Sequence, residues 1–170
     1  MKVLLSQEQI QARIAELGKE ISRDFAGTEP HLVGVLKGAY AFLGDLARQI
    51  DLPITMDFIA VSSYGAATKS SGEVRLTKDL DQGLEGRHLI VVEDIVDTGL
   101  TLNYLVNVLN ARGPRTLKVA TLLSKPSRRL VDVPVDYVGF SIDDHFVVGY
   151  GMDFNEKYRN MPDIKIYGGE

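Results

Sequence analysis

One stretch, LIVVEDIVDTGLTL at residues 89–102, constrains this chain more than any other. Its first four residues are apolar and mostly β-branched, which predicts a strand buried on both faces in a parallel sheet. Glu93 and Asp94 follow the predicted strand, Asp97 comes next, and the apolar spacing of a helix begins at Leu102. The stretch therefore predicts a strand, a polar loop and the start of a helix.

The predicted loop has the composition of a phosphate site. The first N–H groups of a helix lack intrahelical partners and lie at the positive end of its dipole, so they favour an anion. Thr98 and Thr101 add hydroxyl donors, and Gly99 lets a ligand approach the backbone. Carboxylates pair with sugar hydroxyls and Mg²⁺, so a phosphorylated sugar is the predicted ligand. Asp97 alone could be an ordinary N-cap, but two acids at the end of a buried strand need another reason.

Length and composition exclude several classes of protein. A chain of 170 residues predicts about one domain. It has no cysteine, which excludes disulfides, thiolate catalysis and cysteine-ligated metal. No apolar run approaches the length of a membrane span, and MKVLLSQEQ lacks a signal-peptide core, so we expect a cytoplasmic protein without a membrane partner. The net charge of −4 argues against nucleic acid as a partner.

The remaining chain repeats strand and helix patterns. Ser6 and Gln9 form a capping box before an amphipathic helix predicted over residues 7–26. A second strand, loop and helix unit follows, with the strand at residues 31–36. Further strands are predicted over residues 54–61, 73–78, 117–123 and 136–141.

Three polar stretches follow predicted strands and each leaves two interpretations open. Lys37 and Gly38 follow the strand at residues 31–36, where they could meet the ligand of Asp97 or be solvated loop residues. Residues 62–72 are small and polar, and are either a disordered surface loop or a lid that excludes water from a reactive intermediate. Lys125 stands just past the strand at residues 117–123, before Pro126, and is either a ligand contact or a solubilising lysine.

Four segments, in order along the chain, resemble the phosphoribosyltransferases, enzymes that use phosphoribosyl pyrophosphate. The segments are Leu36-Lys37-Gly38, Ser63-Tyr64, VVEDIVDTGLTL at residues 91–102 and HFVVGYGMDFNEKYR at residues 145–159. The segment VVEDIVDTGLTL is closest to the hypoxanthine-guanine branch. The resemblance implies an α/β structure of the type I phosphoribosyltransferase fold. In it, helices flank a mostly parallel central sheet, and the terminal segments form a small hood.

The resemblance also implies a role for each site residue. The ribose and 5-phosphate would contact Glu93, Asp94, Asp97, Thr98, Gly99 and Thr101. Pyrophosphate would contact Lys37, Gly38 and Arg159, beneath a lid that includes Ser63 and Tyr64. The purine would contact Lys125, Phe146, Val147 and Asp153. Magnesium would be held by Glu93, Asp94 and Asp153. Asp97 would be the general base and Lys125 the donor to the exocyclic oxygen of a 6-oxopurine.

The implied reaction is Mg²⁺-dependent transfer of 5-phosphoribosyl from phosphoribosyl pyrophosphate to hypoxanthine or guanine. Its products are the nucleoside monophosphate, IMP or GMP, and pyrophosphate, and a homodimer or homotetramer is expected. Two alternatives stay open, a nucleotide-binding regulator that keeps the fold and an enzyme that prefers xanthine. Phe146 could also be a core aromatic, and some relatives have lysine where this chain has His145, so position 145 receives no role.

Overall fold

The structure is a computed structural model that describes residues 1–63 and 74–168. The helices are α1 (Gln7–Asp24), α2 (Tyr40–Gln49) and α3 (Leu100–Asn110). The strands are β1 (Lys2–Leu5), β2 (His31–Leu36), β3 (Thr55–Ser63), β4 (Val74–Lys78), β5 (His88–Val96), β6 (Thr116–Ser124), β7 (Tyr137–Ser141), β8 (Val147–Val148) and β9 (Ile164–Ile166).

The larger sheet has six strands in the order β4-β3-β2-β5-β6-β7. Every neighbouring pair is parallel except β3 with β4, which is antiparallel. The predicted mostly parallel central sheet is confirmed. Because all the strands of this sheet except β4 run in one direction, the loops after β2, β5 and β6 leave the sheet at the same edge.

The core has one layer on each face of this sheet, and β5 contributes to both. Ile90 and Val92 pack in the cluster that contains the apolar residues of α1 and α2. Leu89 and Val91 pack in the cluster that contains those of α3. All four side chains are fully buried, as predicted for a strand covered on both faces. Burial of such side chains stabilises the fold by roughly 1.5–3 kcal/mol each.

The capping box of α1 is present as predicted. Ser6 Oγ accepts a hydrogen bond from the Gln9 backbone N–H at 3.2 Å, and Gln9 Oε1 accepts one from the Ser6 N–H at 2.8 Å. The helix ends at Asp24, slightly before the predicted residue 26. Such a difference is ordinary, because helix ends are the least regular part of a helix.

Two strands continue two or more residues beyond their predicted last residues. β5 continues to Val96, so Glu93 and Asp94 lie within the strand and not in a loop after it. Pairing with β6 extends the strand, since Glu93 aligns with Thr121 and hydrogen bonds to a neighbouring strand outweigh polar composition. β3 likewise continues through Ser63, which aligns with Val74. Ser62 and Ser63 of the predicted lid therefore belong to β3, and its remainder, with Tyr64, lies outside the described residues.

A second, three-stranded antiparallel sheet has the order β1-β9-β8. It joins segments near both ends of the chain, which is the arrangement expected of the hood. No helix in residues 1–63 or 74–168 combines the length and apolar character needed to span a membrane.

Candidate active site

Two adjoining cavities lie at the carboxyl edge of the parallel strands. The smaller, of about 80 Å³, is lined by Glu93, Ile95, Val96, Asp97, Thr98, Gly99, Thr101 and Leu102. The larger, of about 210 Å³, is lined by Asp94, Ile95, Asp97, Lys125, Phe146, Val147, Met152 and Asp153. Ile95 and Asp97 line both cavities. The predicted phosphate-binding and purine-binding residues are thus brought side by side.

Two further cavities, of about 520 and 440 Å³, lie at the opposite edge of the sheet, beside Arg87, His88 and Thr116. None of the predicted site residues lines them. In open α/β sheets, ligands bind beyond the carboxyl ends of the strands, so the two smaller cavities are the candidate site despite their volume.

The phosphate loop, residues 97–101, begins α3 with a glycine. Gly99 is the N-cap residue and has φ 88°, a left-handed conformation that glycine adopts without strain. Thr98 Oγ1 accepts a hydrogen bond from the Leu100 N–H at 3.3 Å. The alternative interpretation of Asp97 as the N-cap is therefore wrong, because its carboxylate does not cap the helix.

Two consecutive arginines hold Asp97. Arg128 Nε donates to Asp97 Oδ1 at 2.9 Å, and Arg129 donates to the Asp97 carbonyl at 2.8 Å and to the Val96 carbonyl at 3.0 Å. A third bond from Arg129, to Ser124 Oγ at 2.8 Å, joins the loop after β5 to the end of β6. Neither arginine was predicted as a site residue, although the sequence shows two consecutive arginines shortly after Lys125.

Glu93 is buried, and the neighbouring Asp94 is partly buried. Burial, reinforced by the charge of Asp94, raises the pKa of Glu93 well above its ordinary value. Burial also raises the pKa of Asp94 to about 6, although the positive charge of Arg159 opposes this. A cation or sugar hydroxyls placed beside these carboxyls would favour their ionised forms, because either would replace lost solvation.

The predicted magnesium ligands do not form a closed protein cage. Within residues 1–63 and 74–168, no three His, Asp or Glu side chains come close enough to make one. Asp94 and Asp153 nevertheless line the same cavity, and Glu93 is adjacent in the strand. This donor set fits Mg²⁺, which usually binds one or two carboxylates and takes its other ligands from water and substrate phosphates.

Lys125 lies at the end of β6, in the larger cavity. Its side chain is only 8 % exposed, and Nζ lies 3.3 Å from Asp144 Oδ1. Its backbone N–H donates to the Val96 carbonyl at 2.9 Å. The interpretation as a solubilising lysine is therefore wrong, since a buried ammonium on a cavity wall can donate to a ligand there.

Phe146 and Val147 line the same cavity as Lys125. Phe146 is 52 % exposed, so the core interpretation of this aromatic is wrong. Its ring makes edge contacts with Phe154 and Tyr167, at centroid distances of 5.8 and 6.0 Å. Val147 belongs to β8 and aligns with Ile166 of β9. The hood therefore holds an exposed ring at the cavity, where a flat ligand can stack on it.

The predicted pyrophosphate residues also meet. The Leu36–Lys37 peptide is cis. Lys37 is exposed, as the solvated alternative required, but its ammonium lies 3.1 Å from Glu156 Oε2. Arg159 binds the same carboxylate at 3.2 Å, and its buried Nε has no hydrogen-bond partner among the described residues. Two cations from distant segments thus face one acid.

The remaining member of this loop, Gly38, lies against Asp94. A Cβ at position 38 would overlap Asp94 Oδ2, so only glycine permits this approach. The Gly38 carbonyl in turn lies close to Gly151, where an added Cβ would overlap it. The loop after β2 is thereby packed against both β5 and the purine-side segment.

Comparison with known proteins agrees with this geometry. The family description "phosphoribosyl transferase domain" matches residues 2–155. The chain belongs to the phosphoribosyltransferase family. A hypoxanthine-guanine phosphoribosyltransferase of Bacillus subtilis is 51% identical over 165 residues, which are 97% of this chain and 92% of that protein.

Solved structures in the family show the same fold. A hypoxanthine-guanine phosphoribosyltransferase of Bacillus anthracis superimposes with a TM-score of 0.94 at 49% identity, and the match covers 98% of each chain. A hypoxanthine phosphoribosyltransferase of Trypanosoma cruzi, solved in complex with its product IMP, gives a TM-score of 0.91 at 42% identity. That match covers 98% of this chain and 93% of the other.

Proposed function

We propose that this phosphoribosyltransferase serves purine salvage, by transferring 5-phosphoribosyl from phosphoribosyl pyrophosphate to hypoxanthine, guanine or both. The products would be IMP or GMP and pyrophosphate. The observation that carries the proposal is the pair of cavities joined at Asp97, one lined by a phosphate loop and the other by Lys125 and Phe146. A nucleoside monophosphate has its phosphate and its base at the two ends of a ribose, which matches this arrangement.

The ribose and 5-phosphate would occupy the smaller cavity and its junction with the larger. Thr98 and Thr101 would donate hydroxyl hydrogen bonds to the phosphate, together with the N–H groups at the start of α3. Glu93 and Asp94 would accept hydrogen bonds from the ribose hydroxyls. Since burial raises the pKa of both acids, the ribose would replace part of the solvation that they lack.

The pyrophosphate would lie at the loop after β2. Lys37 and Arg159 would exchange their contacts with Glu156 for the phosphate oxygens, and the forked guanidinium of Arg159 suits such a ligand. We propose that Glu93, Asp94 and Asp153 hold Mg²⁺, which when bound would neutralise charge on the departing pyrophosphate.

The purine would stack on Phe146, with its exocyclic oxygen at Lys125 and its edge along the backbone of Val147. Departure of pyrophosphate leaves positive charge on the ribose, and the ring nitrogen of the purine attacks the carbon that carried the pyrophosphate. That nitrogen must lose its proton, so that the base in the product is neutral. Asp97, at the junction of the cavities, would accept that proton. Lys125 would disfavour adenine, because adenine carries an amino donor where hypoxanthine has an oxygen acceptor.

The test is the initial rate with phosphoribosyl pyrophosphate and Mg²⁺, followed by absorbance with hypoxanthine, guanine, xanthine and adenine. Turnover of hypoxanthine or guanine, with little of adenine, is the expected result. Faster turnover of xanthine would instead favour the xanthine-preferring enzyme. A folded protein that binds IMP but turns over none of the bases would contradict the proposal and favour the nucleotide-binding regulator.

We also expect a homodimer or homotetramer in the cytoplasm, without a nucleic-acid partner. The net charge of −4 supports the last point, because phosphate backbones bind basic surfaces. Light scattering on the purified protein would give the oligomeric state directly.

A further inference from the structure

We propose that Arg128 and Asp144 are positioning residues for the purine. Together with Lys125 and Asp97 they form an ion-pair chain, Lys125–Asp144–Arg128–Asp97, in which the charges alternate in sign. The inference rests on the proposed function, in which the end members of this chain contact two different atoms of the base.

Three contacts make up the ion-pair chain. Lys125 Nζ lies 3.3 Å from Asp144 Oδ1, and Asp144 Oδ2 lies 3.7 Å from Arg128 Nη1. Arg128 Nε lies 2.9 Å from Asp97 Oδ1. The members come from four separate positions. Asp97 follows β5, Lys125 follows β6, Arg128 ends the 3₁₀ turn Pro126–Arg128, and Asp144 lies in the loop before β8. The contacts therefore tie together the loops after β5 and β6 and the loop before β8.

Stability does not account for these contacts. The side chains of Arg128, Asp97 and Asp144 are 40 to 52% exposed, and ion pairs this accessible to water contribute little to folding. Their effect is to restrict the conformations of the four side chains. Because these contacts add little stability, their role is to fix the positions of the Lys125 ammonium and the Asp97 carboxylate.

Asp144 fixes the lysine. The four-carbon stem of lysine is flexible and its ammonium is a point charge that binds in many directions. Asp144 is the carboxylate with which Lys125 pairs among the described residues, and it takes one of three N–H donors. The ammonium is thereby held on the cavity wall with its other donors available to an exocyclic oxygen.

Arg128 fixes the general base. Its Nε occupies Asp97 Oδ1, which leaves Oδ2 to accept a hydrogen bond from the purine. The backbone of Asp97 is already held by Arg129, so Arg128 sets the orientation of the carboxylate and not the position of the loop. Because Asp144 contacts both Lys125 and Arg128, moving it would disturb the donor and the acceptor together.

The experiment compares Asp144→Asn, Arg128→Gln and the double variant with the wild-type enzyme. We expect Asp144→Asn to raise KM for hypoxanthine about tenfold and also to lower kcat several-fold, since its charge-assisted contacts with both Lys125 and Arg128 are weakened. Arg128→Gln should lower kcat about tenfold, because Asp97 is no longer held. In both variants KM for phosphoribosyl pyrophosphate should stay within about twofold of the wild-type value, which a general structural defect would not allow.

The double variant tests whether the ion-pair chain acts as a unit. Its loss in kcat/KM for hypoxanthine should approach the larger of the two single losses, not their product. Arg112→Gln is the matched control, because Arg112 makes a bidentate pair with Asp79 away from both cavities, at 2.7 and 2.9 Å. Its kinetic constants should equal those of the wild type.

The outcomes separate the two proposals. An inactive wild-type protein rejects the proposed function, and the positioning roles fall with it. With an active wild type, single variants that keep the wild-type kcat and hypoxanthine KM overturn the ion-pair chain alone. Losses that multiply in the double variant, or that equally affect KM for phosphoribosyl pyrophosphate, also overturn it.

Discussion

Asp97 lines both cavities and is held through its carboxylate by Arg128 and through its carbonyl by Arg129. We predict that Asp97→Asn lowers kcat by about 10²- to 10⁴-fold, the usual contribution of a general base. The amide oxygen can still accept the bond from Arg128, so the side chain keeps its orientation, and Arg129 still holds the backbone of the loop. IMP affinity, measured by calorimetry, should change far less than kcat. Equal losses in both would make Asp97 a binding residue.

Glu156 forms ion pairs with Lys37 and Arg159, the two cations that would bind pyrophosphate. The charges of Lys37 and Arg159, through their hydrogen bonds to this carboxylate, hold its pKa below the ordinary value. We predict that Glu156→Gln binds pyrophosphate several-fold more tightly, because a neutral amide competes less well for the cations. The measurement is product inhibition by pyrophosphate. Glu16→Gln, at an exposed pair with Arg13, is the control and should leave inhibition unchanged. Weaker inhibition in Glu156→Gln would show that Glu156 organises the cations for the ligand.

Single residues were predicted unevenly, for a physical reason. Asp97, Thr98 and Gly99 stand in one short stretch whose composition already indicates a phosphate site. Phe146 gave no such signal, because exposure of an aromatic depends on the packing of the hood, and only the family resemblance indicated it. Arg128 was missed because its contact with Asp97 joins two loops that the fold brings together.

At the scale of elements, β3 and the loop before β5 are joined by a buried acid. Asp57 is 4 % exposed and accepts hydrogen bonds from the backbone N–H groups of Phe58, Asp81 and Gln82. Burial acts to raise the pKa of Asp57, but these three bonds outweigh it and the pKa lies below the ordinary value. The stabilisation is therefore fully present above the pKa of the unfolded chain, and it is lost as pH falls through the folded value.

We predict that Asp57→Asn destabilises the protein by about 1–3 kcal/mol at neutral pH, measured by urea unfolding. The difference from the wild type should shrink below about pH 4, where the wild-type carboxyl is protonated on unfolding. The control is Asp51→Asn, an exposed position whose side chain makes no hydrogen bond among the described residues. A difference that stays constant with pH would mean that the charge of Asp57 is not involved.

The loop after β2 depends on one glycine. We predict that Gly38→Ala lowers kcat/KM for phosphoribosyl pyrophosphate by at least about tenfold, because its Cβ would displace the Asp94 carboxylate. Gly44→Ala, in α2, is the matched control, since a Cβ there meets only open space near Arg48. It should keep wild-type kinetics and stabilise the helix by roughly 0.5–1 kcal/mol. Normal kinetics in Gly38→Ala would show that the loop adapts.

The elements themselves were predicted better than their ends. β2 has the predicted bounds, because its apolar run is bracketed by Pro30 and Lys37. β5 was predicted too short because its last residues include two acids, which composition assigns to a loop. Only the partner strand β6 shows that these acids belong to the sheet. Local composition does not predict which distant segments pair with each other.

At the scale of the whole molecule, the proposed metal site is open. Within the described residues no metal cage of three acidic or histidine side chains exists, so we expect Mg²⁺ to bind together with substrate phosphates. EDTA should abolish turnover, and excess Mg²⁺ should restore it. The unfolding temperature of the ligand-free protein should not change with EDTA, as measured by calorimetry. A marked fall would mean that a metal ion is part of the folded protein.

The hood has a consequence for the tolerance of the protein to truncation. The six-stranded sheet is built from residues up to Ser141, whereas β8 obtains its partner β9 only from Ile164–Ile166. A chain that stops before Ile164 would keep every strand of the larger sheet and the phosphate loop, but β8 would lose the strand with which it pairs. Such a chain would lack a finished purine wall, so we expect it to lose selection of the base before it loses the fold.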